Sequence, residues 1–266
     1  MSKPLNILFV GDIVGTPGLE LALNLLPSYV KKYGVDLLIV NGENVTDGKG
    51  ISEEHAKKVF DAGAHVITTG NHVWDRWDSR KVLGGDRRIL RPLNYPRENA
   101  GNGFIVVDLG EKGKAAVMNI QGRAFMTAID DPFRSADWAV SKLHEETKVI
   151  FVDFHADATA EKMAMGWHLD GKVTAVIGTH THTPSADGRI LPRGTAFQTD
   201  VGMTGPYDSV LGMAKEQAIR RLITATPHKY EVASHDVRFC AVYVRADAET
   251  GRAESMESII FPAFRS

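Results

Sequence analysis

Five short, nearly unbroken apolar runs, Asn6–Val10, Leu37–Val40, Val66–Thr68, Val149–Val152 and Ala175–Ile177, each give way to a polar cluster. Runs of this length suit strands, and their lack of polar alternation is expected where both faces of a sheet are covered. The clusters read Gly11-Asp12, Asn41-Gly42-Glu43-Asn44, Gly70-Asn71-His72, His155 with Asp157, and Gly178-Thr179-His180-Thr181-His182. In open α/β sheets, ligands bind outside the carboxyl ends of the strands. If the five strands are neighbours in one sheet, their exits lie about 5 Å apart and can serve one pocket.

Further strand candidates are Phe104–Val107, Ala116–Ile120, Thr195–Gln198, Phe239–Val244 and Ser258–Phe261, the last two at hairpin-like spacing. Apolar residues recurring three and four apart predict helices over Leu19–Lys32, Ser52–Ala62, Pro132–Leu143, Thr159–Trp167 and Ser209–Leu222. Ser52 ahead of Glu53 and Glu54, and Thr159 ahead of Glu161, suit N-caps with an acidic first turn, and Gly63 suits a stop. With no repeat, linker or low-complexity tract, residues 1–266 read as a single α/β domain with a mixed sheet or two packed sheets.

The 31 Lys and Arg against 33 Asp and Glu leave a net charge of −2, which excludes the broad basic field of a general nucleic-acid binder. A local RNA contact would not show in that sum. At 43% hydrophobic and 24% charged residues, the chain has ample material for a core and is not disordered. No apolar run approaches the roughly 18 residues of a membrane span. Lys3 is followed by too few apolar residues before Gly11 for a cleaved leader, so a mature cytoplasmic protein is expected. The single Cys240, inside an apolar stretch, reads as a buried strand thiol.

His180 and His182, two apart, project to one side of an extended segment, which lets two imidazoles reach one metal site. Glu43 follows a buried strand and a glycine, and its two oxygens can bridge cations about 3.5–4 Å apart. Asp12, Asn44, Asn71, His155, His180 and His182 complete a mixed oxygen and nitrogen set, which suits manganese, iron or zinc better than magnesium alone. Singly, Asp12, Glu43 and Asn71 are equally explained by turns after strands, but five such exits together point to a metal site. Gly11, Gly15 and Gly18 miss the spacing of a dinucleotide loop, with Asp12 and Pro17 where bare backbone is needed. No serine sits in a Gly-x-Ser-x-Gly elbow.

These motifs resemble the calcineurin-like metallophosphoesterase superfamily. The Asn-Gly-Glu-Asn and Gly-Thr-His-Thr-His forms, with the Asp-Val-Gly-Met-Thr-Gly-Pro-Tyr run from Asp200 to Tyr207, resemble its YmdB-like bacterial phosphodiesterases over nearly the whole chain. The resemblance implies a four-layer α/β/β/α sandwich with mixed sheets and two divalent or mixed-valence transition metal ions, iron or manganese ahead of zinc. Asp12, Glu43, Asn44 and His182 would hold one ion, and Glu43, Asn71, His155 and His180 the other. The wider superfamily opens on Asp-x-His, whereas Ile13 and Val14 follow Asp12, and it usually bridges with Asp where Glu43 stands. The YmdB-like branch implies that Asn44 supplies the missing ligand. It further implies a metal-bridging hydroxide attacking phosphorus, with His72 as proton donor and Asp75 orienting it.

The implied substrate is a small phosphodiester or cyclic nucleotide, with 2′,3′-cyclic nucleoside monophosphates favoured. A homo-oligomer is expected. The alternatives are a phosphomonoesterase such as a nucleotidase on the same metals, and an RNA-linked regulator with a non-catalytic metal site. Arg123 reads as a surface arginine, with a phosphate grip as the alternative. Trp74 and Trp77 read as core or loop packing ahead of a base-stacking wall. His65 reads as structural, His55 as part of a solvated helix face, and His144, His168 and His228 as facing solvent or capping helix ends.

Overall fold

The computed structural model describes residues 4–264, so Lys3 lies outside the described residues. The first half of the chain forms β1 (Pro4–Val10), α1 (Gly15–Tyr33), β2 (Leu37–Asn41), α2 (Glu53–Asp61), β3 (Val66–Thr68), a 3-10 turn (Asn71–Trp74), α3 (Ser79–Gly85), β4 (Phe104–Asp108), a second 3-10 turn (Gly110–Lys112) and β5 (Lys114–Gln121). The second half forms α4 (Pro132–Leu143), β6 (Val149–His155), α5 (Thr159–Leu169), β7 (Ala175–Thr179), β8 (Arg189–Ile190), β9 (Ala196–Gln198), β10 (Gly205–Pro206), α6 (Lys215–Thr224), β11 (Val237–Asp247) and β12 (Ala253–Phe261).

The strands divide into two sheets. One has the order β10-β11-β1-β2-β3, with β12 paired to β11, and the other β4-β5-β6-β7-β9-β8. In the first, β1, β2 and β3 are parallel and β11 runs antiparallel beside β1, with Ile7 opposite Val244. In the second, β5, β6, β7 and β9 are parallel, and the edge strands β4 and β8 are antiparallel to their neighbours. The five apolar runs are therefore not neighbours in one sheet, contrary to the condition set by the sequence. Three lie in the first sheet and two in the second, and their exits meet across the gap between the sheets.

Period-two geometry explains why these strands are apolar throughout. From β1, Leu8 and Val10 pack with Leu38, Val40 and Ile67 against Leu19, Ala22 and Leu26 of α1 and Val59 of α2. Its alternate residues Leu5, Ile7 and Phe9 face the other way, onto Val117, Phe151 and Ile177 of the second sheet. Beyond that sheet, Met118, Ile120, Ile150 and Val152 pack on Ala136, Ala139 and Leu143 of α4 and Met165 and Leu169 of α5. Three apolar layers between four structural ones make the α/β/β/α sandwich with mixed sheets that the resemblance implies.

All ten expected strands are present, several longer at their ends. The two-residue strands β8 and β10, and α3, carry no periodic signal, and the Gly84-Gly85 pair at the end of α3 further hides it. The last helix starts at Lys215, not Ser209, because Leu211 (φ 54°) and Gly212 (φ 88°) take left-handed backbone that a helix cannot use. Ser52 caps α2 by accepting the His55 N–H at 3.2 Å. Thr159 is the first helical residue of α5 and not its cap. His55 is half-buried, with Nδ1 2.7 Å from Thr46 Oγ1, so it is tied into the loop before α2 and not simply solvated. Cys240 is buried and free in β11. Among the described residues no helix is long and apolar enough to cross a membrane.

Candidate metal centre

β1, β2 and β3 deliver Asp12, Glu43 with Asn44, and Asn71 with His72 to one end of the first sheet. β6 ends on His155, and the segment after β7 carries His180 and His182. Two side-chain bonds stitch the sheets together at this edge: Asn41 Nδ2 donates to Asp153 Oδ2 at 2.9 Å, and the Thr69 N–H donates to Asn119 Oδ1 at 3.2 Å. The gap between the sheets is thereby fixed where the exits meet.

At the centre, His155 Nε2 lies 2.9 Å from Asn71 Oδ1, 3.1 Å from Glu43 Oε1 and 3.1 Å from His180 Nδ1. One ligand atom from each of Glu43, His155 and His180 falls within 4.8 Å of the others, close enough for one ion to be shared. Beside them, His182 Nε2 stands 3.3 Å from Asn44 Oδ1. The Asn44 amide donates to the Gly48 carbonyl, which aims its oxygen at His182. Asp12 Oδ2 accepts the His180 N–H at 3.2 Å, while Asp12 Oδ1 is buried without a hydrogen-bond partner.

The outer ring atoms of His155 and His182 are already engaged. His182 Nδ1 is 3.0 Å from the Leu211 carbonyl, and His155 Nδ1 is 2.9 Å from Thr179 Oγ1, which donates to Asp153 Oδ1 at 2.7 Å. Such outer bonds fix the tautomer and leave Nε2 free to ligate. His180 (φ 96°) and His182 (φ 62°) both hold left-handed backbone, an arrangement that persists only when its surroundings enforce it. Asp200 supplies that constraint, since its Oδ2 accepts from both the N–H and Oγ1 of the intervening Thr181.

Burial raises the Asp12 carboxyl well above the carboxylate range, against the pull of His155. Burial would raise Glu43 as well, but His155, with His72 and His180, overrides it and holds that carboxyl low. His155 is driven up in return, because Glu43 outweighs the cost of burying an imidazolium. Burial and the neighbouring His155 push His180 down to about 3, and burial lowers His182. Convergent lone pairs and an orphaned Asp12 oxygen fit a bound metal ion. Gly70 completes the cradle, since a Cβ there would overlap both Glu43 Oε2 and the His155 ring.

The cavity above this cluster measures about 290 Å³ and is lined by Glu43, Asn44, His72, Asp157, His180 and His182, with Gly48, Thr181, Leu211 and Tyr230. Among the described residues, the cavities of about 730 and 800 Å³ are lined by no comparable donor set. His72 sits on the rim, with Nδ1 2.9 Å from Asp75 Oδ2 and its backbone N–H 3.2 Å from Glu43 Oε2. Arg123 does not line the cavity; it is exposed and pairs with Asp131 at 2.9 Å. The two tryptophans part company: Trp74 packs edge-on against Tyr95 with 5.7 Å between centroids, while Trp77 is 92% exposed. Of the residues that support the ligands from behind, Thr179 and Asp200 lie inside quoted motifs but are given no role by the sequence reading, and Asp153 and Lys162 lie in none. Asp153 alone carries a usable signal, an ionisable residue inside an apolar strand.

The chain has well-covered relatives. It is 43% identical over 256 residues to a Bacillus subtilis (strain 168) protein named 2′,3′-cyclic-nucleotide 2′-phosphodiesterase, covering 96% of this chain and 97% of that one. A crystal structure of a hypothetical protein from Thermus thermophilus superposes with a TM-score of 0.90 at 37% identity, covering 97% of this chain and 99% of the other. A Mycoplasma pneumoniae crystal structure described as a novel phosphatase gives 0.91 at 35%, covering 98% and 94%. The family model described as YmdB-like protein matches residues 8–259, and with this fold and this cluster the chain belongs to that family.

Proposed function

We propose that the chain is a metal-dependent phosphodiesterase acting on cyclic nucleotides, with 2′,3′-cyclic nucleoside monophosphates as the favoured substrates. The observation that carries this reading is the convergence of buried Glu43 and His155 with the part-buried His180 at the strand ends. The name of the Bacillus relative supports the substrate class. Asp12, Glu43, Asn44 and His182 would hold one ion and Glu43, Asn71, His155 and His180 a second, with Glu43 shared. Two such ions, iron or manganese ahead of zinc, would supply charge neutralisation at the phosphoryl group and a water of lowered pKa when bound.

The chain's own residues do the rest. The narrow cavity orients the diester, and Asp153 and Thr179 keep His155 turned towards it. Water adds to phosphorus, the bond from phosphorus to a ribose oxygen breaks, and the leaving oxygen takes a proton from His72. Asp75, hydrogen-bonded to His72 Nδ1, leaves Nε2 as the atom that gives it up. The phosphatase description of the Mycoplasma structure favours, as a second reading, a phosphomonoester substrate at the same site. Hydrolysis of 2′,3′-cyclic AMP and of the matching monoesters with added manganese decides between them. Turnover of the cyclic diester that disappears in Asp12→Ala supports the proposal, and no turnover of either substrate class overturns it.

A further inference from the structure

A cavity of about 800 Å³ opens beside α4 and the segment joining β3 to β4, and shares no lining residue with the metal centre. Four arginines line it: Arg87, Arg91, Arg97 and Arg134. Arg91 is only 5% exposed, and its guanidinium donates to the carbonyls of Ala100, Pro92 and Leu93, with no carboxylate partner among the described residues. A buried cation without a counter-charge is costly, and an anion in the space it faces would relieve that cost. Among the described residues, the side chains of Arg87, Arg97 and Arg134 donate no hydrogen bond, so they are available to a ligand.

The cavity also offers an aromatic surface. Trp138 is 44% exposed, and the Arg97 guanidinium lies 5.5 Å from its ring centroid, so one ligand carrying a ring and a phosphate can engage both. Of the two acidic residues present, Asp131 is occupied with the N–H groups of Phe133 and Arg134 and with Arg123. Asp130 remains as an acceptor for sugar hydroxyls. The volume falls within the range of about 300–1,000 Å³ usual for small-molecule sites.

We propose that this cavity is a second ligand site that binds a nucleotide, its phosphate held by Arg91, Arg97 and Arg134 and its base stacked on Trp138. The site goes beyond the phosphodiesterase reading and does not depend on it. The test is calorimetric titration of the full chain carrying Glu43→Ala, in chelating buffer, with 5′-AMP, adenosine and inorganic phosphate as separate probes. We expect AMP to bind about tenfold or more tightly than either probe, and Arg97→Ala with Arg134→Ala to weaken it at least about tenfold. Trp138→Ala weakens AMP and leaves phosphate unchanged. The thermal melts of the arginine variants are expected to match the parent, while Trp138→Ala, which loses the ring contact with Phe104, melts somewhat lower but still cooperatively. Absence of AMP binding, binding indifferent to the arginine pair, or phosphate bound as tightly as AMP overturns the proposal. Cyclic-nucleotide turnover by the wild-type chain is measured separately, so failure of one reading is distinguishable from failure of the other.

Discussion

The Lys162 ammonium lies 2.7 Å from Asp200 Oδ2, and the two side chains are 1% and 2% exposed. That same oxygen holds Thr181, so the ion pair secures the residue between His180 and His182. Removing one partner leaves the other charge buried and unpaired, which costs about 3–5 kcal/mol. Lys162→Met is therefore expected to lower the unfolding free energy by about that amount in urea titration, with part recovered on adding Asp200→Asn. A single variant as stable as wild type would show that the pair contributes nothing net.

His72 stands on the cavity rim and is not needed to complete either proposed ligand set. His72→Ala is expected to cut kcat by about 10²–10⁴ while metal content stays at the wild-type level. Elemental analysis alongside steady-state kinetics checks this. Metal lost together with activity would reassign His72 as a ligand.

Glu43 is the one carboxylate placed in both proposed sets, and Gly70 is shaped around it. Glu43→Ala should release or scramble both ions, whereas Asn44→Ala should affect one. Plasma emission spectrometry on purified variants tests the difference, and two metals per chain retained in Glu43→Ala would rule out the bridge.

His65 bears on stability and not on chemistry. Its Nδ1 accepts the Leu38 N–H at 3.0 Å, and burial lowers its pKa below the ordinary 6.5. The unfolded chain then binds more protons than the folded one once pH drops below that ordinary value. Stability from His65 is thus complete above it and is lost as pH falls towards the depressed folded value, by at most about 1.4 kcal/mol per pH unit. Urea midpoints measured from pH 7.5 to about 5.5 should decline less steeply for His65→Asn than for wild type. Identical slopes would contradict this assignment.

Much of the site is legible in the residues because each ligand sits immediately beyond an apolar run, where periodicity and turn chemistry agree. The division of those runs between two sheets is not legible. A strand buried on both faces has the same composition whether it is flanked by helices alone or by helices and a second sheet. Lys162 is hidden for a related reason: at helical spacing from Met165 and Leu169 it occupies the buried stripe of α5, a position where lysine is ordinarily solvated. The turn at Leu211 and Gly212 is likewise masked, since its left-handed backbone follows from contacts far along the chain. Local pattern specifies the elements; which elements face one another depends on non-local packing.

Because Glu43 and His155 come from opposite sheets, neither half of the sandwich can assemble the cluster alone. A ligand gripped by both acts as a rivet across the seam, binding only after the layers have docked and thereby favouring the closed molecule over any state in which they have parted. Chelation should consequently loosen the join between the halves before it disturbs either half internally, and amide exchange at the carboxyl ends of β2 and β6 is where that loosening would first register.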